Sequence, residues 1–255
     1  MEIGLNIYSI RNLIDTEEKF IETCHKLKEI GYDFLQFSGT PYSVEKIKRE
    51  LKEVGLPIRL THMPFERLTD DLDNLIAEHK EFGCENLGLG CIPGSFHSSE
   101  EGAIEGAKKL NEIATKAKEQ GMNFFYHNHH VEFIKLSNGQ QMLYYFADQA
   151  PDLNFTLDTY WVLRGGMDLC EVIERLDGRI GCVHLKDFNI HLGKEQWCDV
   201  CECPCGDGNI NFSRVIPMMK KAGAKYFIVE QDNAAYKPDT FEQVAKSLRY
   251  LKERF

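Results

Sequence analysis

A chain of 255 residues with 43% hydrophobic and 27% charged side chains is long enough to bury a substantial core of its own. Its formal net charge of −10 argues against the clustered lysine and arginine that nucleic-acid phosphates or an anionic membrane surface require. The opening MEIGLNIYSIRNLIDTEEKF has no basic segment followed by an apolar one, no apolar run reaches the ~18 residues of a membrane span, and nine cysteines in so large a chain read as reduced thiols, so a cytoplasmic location is expected.

Along the chain, short apolar runs alternate with longer amphipathic segments. The runs are 3–8, 33–37, 58–62, 86–91, 123–128, 154–158, 180–185 and 226–230. Helix-like segments follow them at 16–30, 43–54, 70–82, 99–120, 140–148, 168–176, 212–221 and 239–252. Gly31, Gly55, Gly83, Gly121 and Gly223 stand where a left-handed helix cap is needed. Strands alternating with helices imply parallel βαβ units, and eight of them in ~250 residues predict a (β/α)8 TIM barrel of the α/β class, one domain over 1–255. No glycine-rich dinucleotide fingerprint follows the first run, and no linker interrupts the chain.

Barrel enzymes carry their chemistry at the C-terminal ends of the strands. In this sequence the ionisable residues gather there. The third run ends in His62; the fifth leads into His127, His129, His130 and Glu132; the sixth ends in Asp158; the seventh closes with His184 and Lys186; the eighth with Glu230 and Asp232. Any one of them has a plainer use, since an Asp at a strand end commonly caps a helix and a His near a core is commonly a packing residue. Their accumulation at one end of four consecutive strands, with no equivalent at the other end, points to a shared metal site. Two carboxylates buried together are costly without a cation. A mixed carboxylate and imidazole set suits one divalent ion such as Mn, Co, Zn or Fe.

The segments FYHNHHVEF, LDTYWVLRGG, VHLKD, GDGNINF and YFIVEQD resemble the sugar phosphate isomerase/epimerase family, with its xylose-isomerase-like barrel, and GLNIYSIR at the start is similar to that family's first strand. Relatives in that group include inosose dehydratases, ketose 3-epimerases, hydroxypyruvate isomerases and, more distantly, endonuclease IV. The resemblance implies one metal held by Glu, Asp, His and Glu from the last four strands, which places Asp158, His184 and Glu230 as ligands. At the remaining position this chain departs, having His127 where the epimerases carry Glu; Glu132, five residues on, is the other candidate. We favour His127, with Glu132 as a substrate or proton-transfer contact. Loss of one Glu of the epimerase acid/base pair argues against simple epimerisation and leaves isomerisation, dehydration and lyase chemistry open.

The reaction expected is proton abstraction alpha to a carbonyl of a small sugar, keto-sugar or polyol, with the metal polarising the carbonyl. His129 or Glu230 would take the proton, Lys186 would neutralise the developing enediolate, His62 and Glu132 would position hydroxyls, and Trp161 would stack on the sugar. A DNA-cleaving hydrolase like endonuclease IV would need more ligands on the second to fourth strands, where His62 alone qualifies. A non-catalytic carbohydrate sensor is the other rival, and a homo-oligomer is compatible with the sequence. Finally, WCDVCECPCGDG at 197–208, expected as a loop after the seventh strand on the active-site side, packs Cys198, Cys201, Cys203 and Cys205 into eight residues. The spacing is not that of a zinc knuckle, so incidental reduced thiols are expected ahead of a structural metal or redox chemistry.

Overall fold

The structure, a computed structural model, describes residues 1–192 and 198–255. Eight parallel strands close a barrel: β1 (Ile3–Asn6), β2 (Phe34–Phe37), β3 (Ile58–His62), β4 (Asn86–Leu89), β5 (Asn123–His127), β6 (Asn154–Asp158), β7 (Ile180–Leu185) and β10 (Tyr226–Val229). Each strand pairs with its neighbours in sequence, and β10 returns to β1 through Ile3–Phe227, Gly4–Ile228 and Leu5–Val229. The predicted (β/α)8 barrel is therefore the observed one.

The surrounding helices include α1 (Glu17–Ile30), α2 (Val44–Glu53), α3 (Phe65–Asp70), α4 (Leu72–Glu81), α5 (Glu100–Glu119), α6 (Met142–Gln149), α7 (Thr159–Arg164), α8 (Leu169–Arg175), α9 (Phe212–Lys221) and α10 (Thr240–Arg254). Their limits follow local chemistry. In α1 the Thr16 hydroxyl accepts the Lys19 N–H, Glu17 and Glu18 occupy the first turn, and Gly31 ends the helix at φ +108°. No helix among the described residues is long and apolar enough to cross a membrane.

The pleat explains where the polar site lies. Inside the barrel, Phe34, Leu60, Phe125, Cys182 and Ile228 form a buried apolar plug. Residues two apart on a strand share a face. Two positions beyond each plug residue stand Gln36, His62, His127, His184 and Glu230. One apolar layer thus supports one polar layer, and burying each large apolar side chain contributes roughly 1.5–3 kcal/mol toward the cost of the polar layer above it. The plug needs room: a Cβ on Gly4 would lie 2.2 Å from the Phe34 ring and one on Gly181 2.3 Å from that of Phe125.

Three local expectations need correction. The first strand stops at Asn6, whose side chain accepts the Tyr8 N–H and starts a 3-10 segment over Ile7–Leu13. The predicted helix at 70–82 begins later, because Asp71 is non-helical (φ −139°, ψ 28°) and separates α3 from α4. The cysteine-rich stretch is no plain loop: β8 (Asp187–Leu192) and β9 (Cys198–Cys203) form an antiparallel hairpin between β7 and α9. Residues 193–197 and the Cys198 side chain lie outside the described residues.

Candidate metal centre

His127, Asp158, His184 and Glu230 meet at the C-terminal mouth of the barrel, each offering a ligand atom within 4.8 Å of the others, and all four are buried. The register sets them side by side, with Asp158 paired to His184 and His184 to Ile228, two residues before Glu230. The Glu230 backbone N–H donates to Leu185 O (3.2 Å), which carries the residue one step past the end of β10.

Neighbouring groups orient each ligand. His127 Nδ1 donates to the Gly90 carbonyl (3.0 Å), so Nε2 is the atom that faces Asp158 Oδ2 at 3.3 Å. His184 Nε2 donates to Gln36 Oε1 (2.7 Å), which turns Nδ1 toward Glu230 Oε2, in direct contact, and toward Asp158 Oδ2 at 3.7 Å. The Gln36 amide nitrogen in turn donates to His62 Nε2 (3.0 Å), linking the cluster to a histidine of the cavity wall. Asp158 divides its labour: Oδ1 caps α7 by accepting the Trp161 N–H (2.9 Å), while Oδ2 faces the cluster.

The arrangement fits a divalent cation. His184 Nδ1 and Glu230 Oε2 are buried and have no hydrogen-bond partner of acceptable geometry among the described residues. Burial opposes the charge on His184, yet Glu230 and Asp158 lift its imidazole to about 9. Burial would raise the two carboxyls; Lys186 with the hydrogen bonds of His127 and His184 holds Asp158 below the usual carboxylate range, and His184 with Lys186 does the same for Glu230. The group demands positive charge, whether a proton on His184 or a metal ion.

Above the cluster opens a cavity of about 770 Å³, a size suited to a small ligand. Its wall includes His62, His127, His129, Trp161, Lys186 and Glu230. Lys186 is fully buried; its Nζ lies 2.8 Å from Asp232 Oδ2, 3.9 Å from Asp158 Oδ2 and 4.0 Å from Glu230 Oε1. His129 is pushed down to about 3, by burial first and by His127 next. His62 is likewise held well below its ordinary value by burial, His127 and His184. Trp161 stacks on His130 (5.1 Å between centroids), and Lys186 Nζ lies 5.2 Å from the Trp161 ring centroid.

Glu132 is placed differently from the expected substrate contact. It is fully buried and absent from the cavity wall, with Oε1 accepting the Tyr126 hydroxyl (2.6 Å) and Oε2 the His129 N–H (2.8 Å). It holds the His129 backbone and stands outside the four-residue cluster. Several site residues went unread in the sequence. Gln36 is one; the part of the wall from Tyr8, the 38–42 loop, Met63 and Phe65 is another. For Gln36 a signal existed, a lone polar residue in the otherwise apolar strand FLQF. Gly88 and Gly90 leave space for His62: a Cβ on Gly88 would lie 2.6 Å from Thr61 O and 2.7 Å from the imidazole, and one on Gly90 3.1 Å from His62 Nδ1.

The cysteine tract is structural where it is described. Cys203 and Cys205 are buried and Cys201 half-buried; all three are free thiols, and they form no metal cluster among the described residues. The Cys205 thiol donates to Leu185 O (3.3 Å). The turn that follows is organised by Asp187, whose buried carboxylate accepts the N–H groups of Phe188, Gly206, Gly208 and Ile210 at 2.9–3.1 Å. A Cβ on Gly208 would sit 2.2 Å from Asp187 Oδ1, which accounts for the glycine in GDGNI.

Comparison with known proteins agrees with this architecture. Inosose dehydratase of Geobacillus thermodenitrificans (strain NG80-2) is 28% identical over 156 residues, 56% of this chain and 52% of that protein, so the chain spans about half the length of this curated relative. The crystal structure of a sugar phosphate isomerase/epimerase from Parabacteroides distasonis ATCC 8503 superposes with a TM-score of 0.82 at 22% identity, covering 98% of this chain and 93% of that one. A xylose isomerase-like TIM barrel protein from Mycobacterium smegmatis, in complex with magnesium, gives a TM-score of 0.74 at 13% identity, covering 99% and 95%. The model of the family described as xylose isomerase-like TIM barrel matches residues 24–254, and the chain belongs to that family.

Proposed function

We propose that this chain is a divalent-metal-dependent enzyme that abstracts a proton alpha to a carbonyl of a small sugar, keto-sugar or polyol, completing an isomerisation or epimerisation. The observation that carries the reading is the set of four convergent donors beneath a cavity whose wall also holds Lys186 and His129. The similarity to sugar isomerase/epimerase and inosose dehydratase proteins supports the substrate class.

His127, Asp158, His184 and Glu230 would hold the ion. With two imidazoles and two carboxylates they suit Mn²⁺, Co²⁺, Zn²⁺ or Fe²⁺, while the Mycobacterium smegmatis barrel keeps Mg²⁺ in view. When bound, such an ion supplies Lewis-acid polarisation of a carbonyl. The remaining steps fall to the chain. His129, unprotonated at neutral pH, accepts the proton beside the carbonyl and returns it. Lys186 Nζ, fixed between three carboxylates, sets positive charge where enediolate charge develops. His62, held through Gln36, receives a substrate hydroxyl, and Trp161 offers an apolar face. Glu132 keeps His129 in register without touching the substrate.

A second reading is favoured by one residue. With His127 in a position where epimerases carry a carboxylate, the two-Glu acid/base pair is incomplete, and loss of a hydroxyl beta to the carbonyl becomes the alternative outcome of the same deprotonation. The inosose dehydratase relatives point the same way.

The test is a panel of keto-sugars and inososes incubated with metal-loaded protein in deuterated water. A true substrate acquires deuterium at the carbon beside its carbonyl, even where net conversion is small, and the accompanying product separates isomerisation from elimination. A sugar that binds tightly yet shows no exchange, isomerisation or elimination with metal present would leave the sensor reading in place of the enzyme.

A further inference from the structure

We infer that Cys91 and His129, on the wall of the same cavity, form with the buried Glu132 behind them a second cation site, selective for a thiophilic divalent ion of the Zn²⁺ or Cd²⁺ type. A His129 ring nitrogen, the Cys91 sulphur and a Glu132 carboxylate oxygen lie within 4.8 Å of one another. Metal–ligand bonds of ~2.0–2.3 Å bring donors to comparable separations with small side-chain adjustments.

Three features make the trio more than a coincidence of distance. His129 Nδ1 is a buried nitrogen with no hydrogen-bond partner among the described residues, an unusual state for a polar atom that a ligand would relieve. Glu132 is fully buried, and although Tyr126 and the His129 N–H each engage one of its oxygens, each oxygen keeps a further lone pair. Cys91 is exposed and lines the cavity, and among the described residues its thiol makes only a long bond to Ile92 O (3.4 Å), so the sulphur is accessible to an entering ion.

The donor chemistry separates this site from the four-residue cluster. The cluster offers nitrogen and oxygen only, whereas the trio includes sulphur, and soft ligands select soft ions. The consequence is inhibitory: a thiophilic ion bound here occupies the imidazole that takes the substrate proton. That consequence rests on the function proposed above, but binding does not.

Cd²⁺ is the probe, because cadmium–thiolate bonding gives a near-ultraviolet charge-transfer band that reports sulphur alone. Titrated into Mn²⁺-saturated protein, Cd²⁺ should raise one equivalent of this band. Cys91→Ser should lose it, and His129→Ala should weaken Cd²⁺ at least about tenfold, the loss seen when even a supporting partner is removed from a metal site. A Cys198→Ser/Cys201→Ser/Cys203→Ser triple variant should keep the band, excluding the hairpin thiols as its source. An unchanged band in Cys91→Ser, or unchanged affinity in His129→Ala, overturns the site. With a substrate in hand, one equivalent of Cd²⁺ added to protein kept in excess Mn²⁺ should suppress deuterium exchange in the wild type and spare it in Cys91→Ser. If no sugar exchanges in the wild type, the proposed function fails and the cadmium titration alone decides this inference.

Discussion

Replacing His129 by Ala is expected to lower deuterium exchange into the substrate by roughly 10²–10⁴-fold, the usual contribution of a positioned general base. Sugar binding and metal content should change little, because His129 is outside the four-residue cluster. The companion variant, His127→Ala, should behave in the opposite sense and lose the ion, because His127 Nε2 faces Asp158 Oδ2 while its Nδ1 is tied to Gly90. Metal analysis and exchange measured on both proteins separate the roles. Glu132→Gln should keep its metal, since the Glu132 carboxylate is engaged by Tyr126 and the His129 backbone. Retained metal in both histidine variants with loss in Glu132→Gln would transfer the fourth position to Glu132.

The second large effect concerns stability and acts through a residue that is not one of the four proposed metal ligands. Asp187→Ala would strand four backbone N–H groups that now share one carboxylate. Each donor left unpaired in a buried setting costs about 1–3 kcal/mol. Water can reach part of the turn, so a total of about 3–5 kcal/mol is expected, comparable to breaking a buried ion pair. At ~2–4 °C per kcal/mol for a chain of this size, the melting temperature should fall by roughly 10 °C. Asp187→Asn retains one acceptor oxygen and should lose less. The drop should be equal with and without added metal. A melting temperature unchanged in Asp187→Ala would mean that the turn over 204–210 is held by something else.

Much of the barrel could be read in advance because its signals are local and repeated. Thr16, Ser43 and Ser99 each cap the helix they precede, and Gly31, Gly55, Gly83, Gly121 and Gly223 all take positive φ. Alternation along the strands carried the site as well, since a polar residue two positions past an apolar plug residue enters the same interior. Gln36 obeys that rule but was passed over, because an amide among apolar residues carries no charge to draw notice, and its value lies in joining His184 to His62 across the barrel. Asp158 illustrates why single residues mislead: one carboxylate oxygen caps a helix, as the plain reading expects, while the other faces His127 and is free to serve as the proposed ligand.

Glu132 misled for a different reason. Its spacing from His127 was visible, but the 3-10 turn over Val131–Phe133 that swings it behind His129 and against Tyr126 depends on tertiary contacts. The hairpin after β7 was also hidden. Its strands show no alternation of buried and exposed positions: Asp187 and Cys203 are buried next to the barrel, and exposure rises outward to Ile190 and Leu192, which face solvent. The cysteines were expected to be incidental thiols, and the residue that organises the turn beside them is the buried Asp187.

The most direct test of the account is anomalous diffraction at the manganese edge from crystals of Mn²⁺-loaded protein, repeated with Asp158→Asn. The account predicts one peak per chain bonded by His127, Asp158, His184 and Glu230, with open coordination toward the cavity, and its loss in the variant. A peak bound elsewhere in the wild type, or no peak with Asp158 and Glu230 held apart, would contradict it.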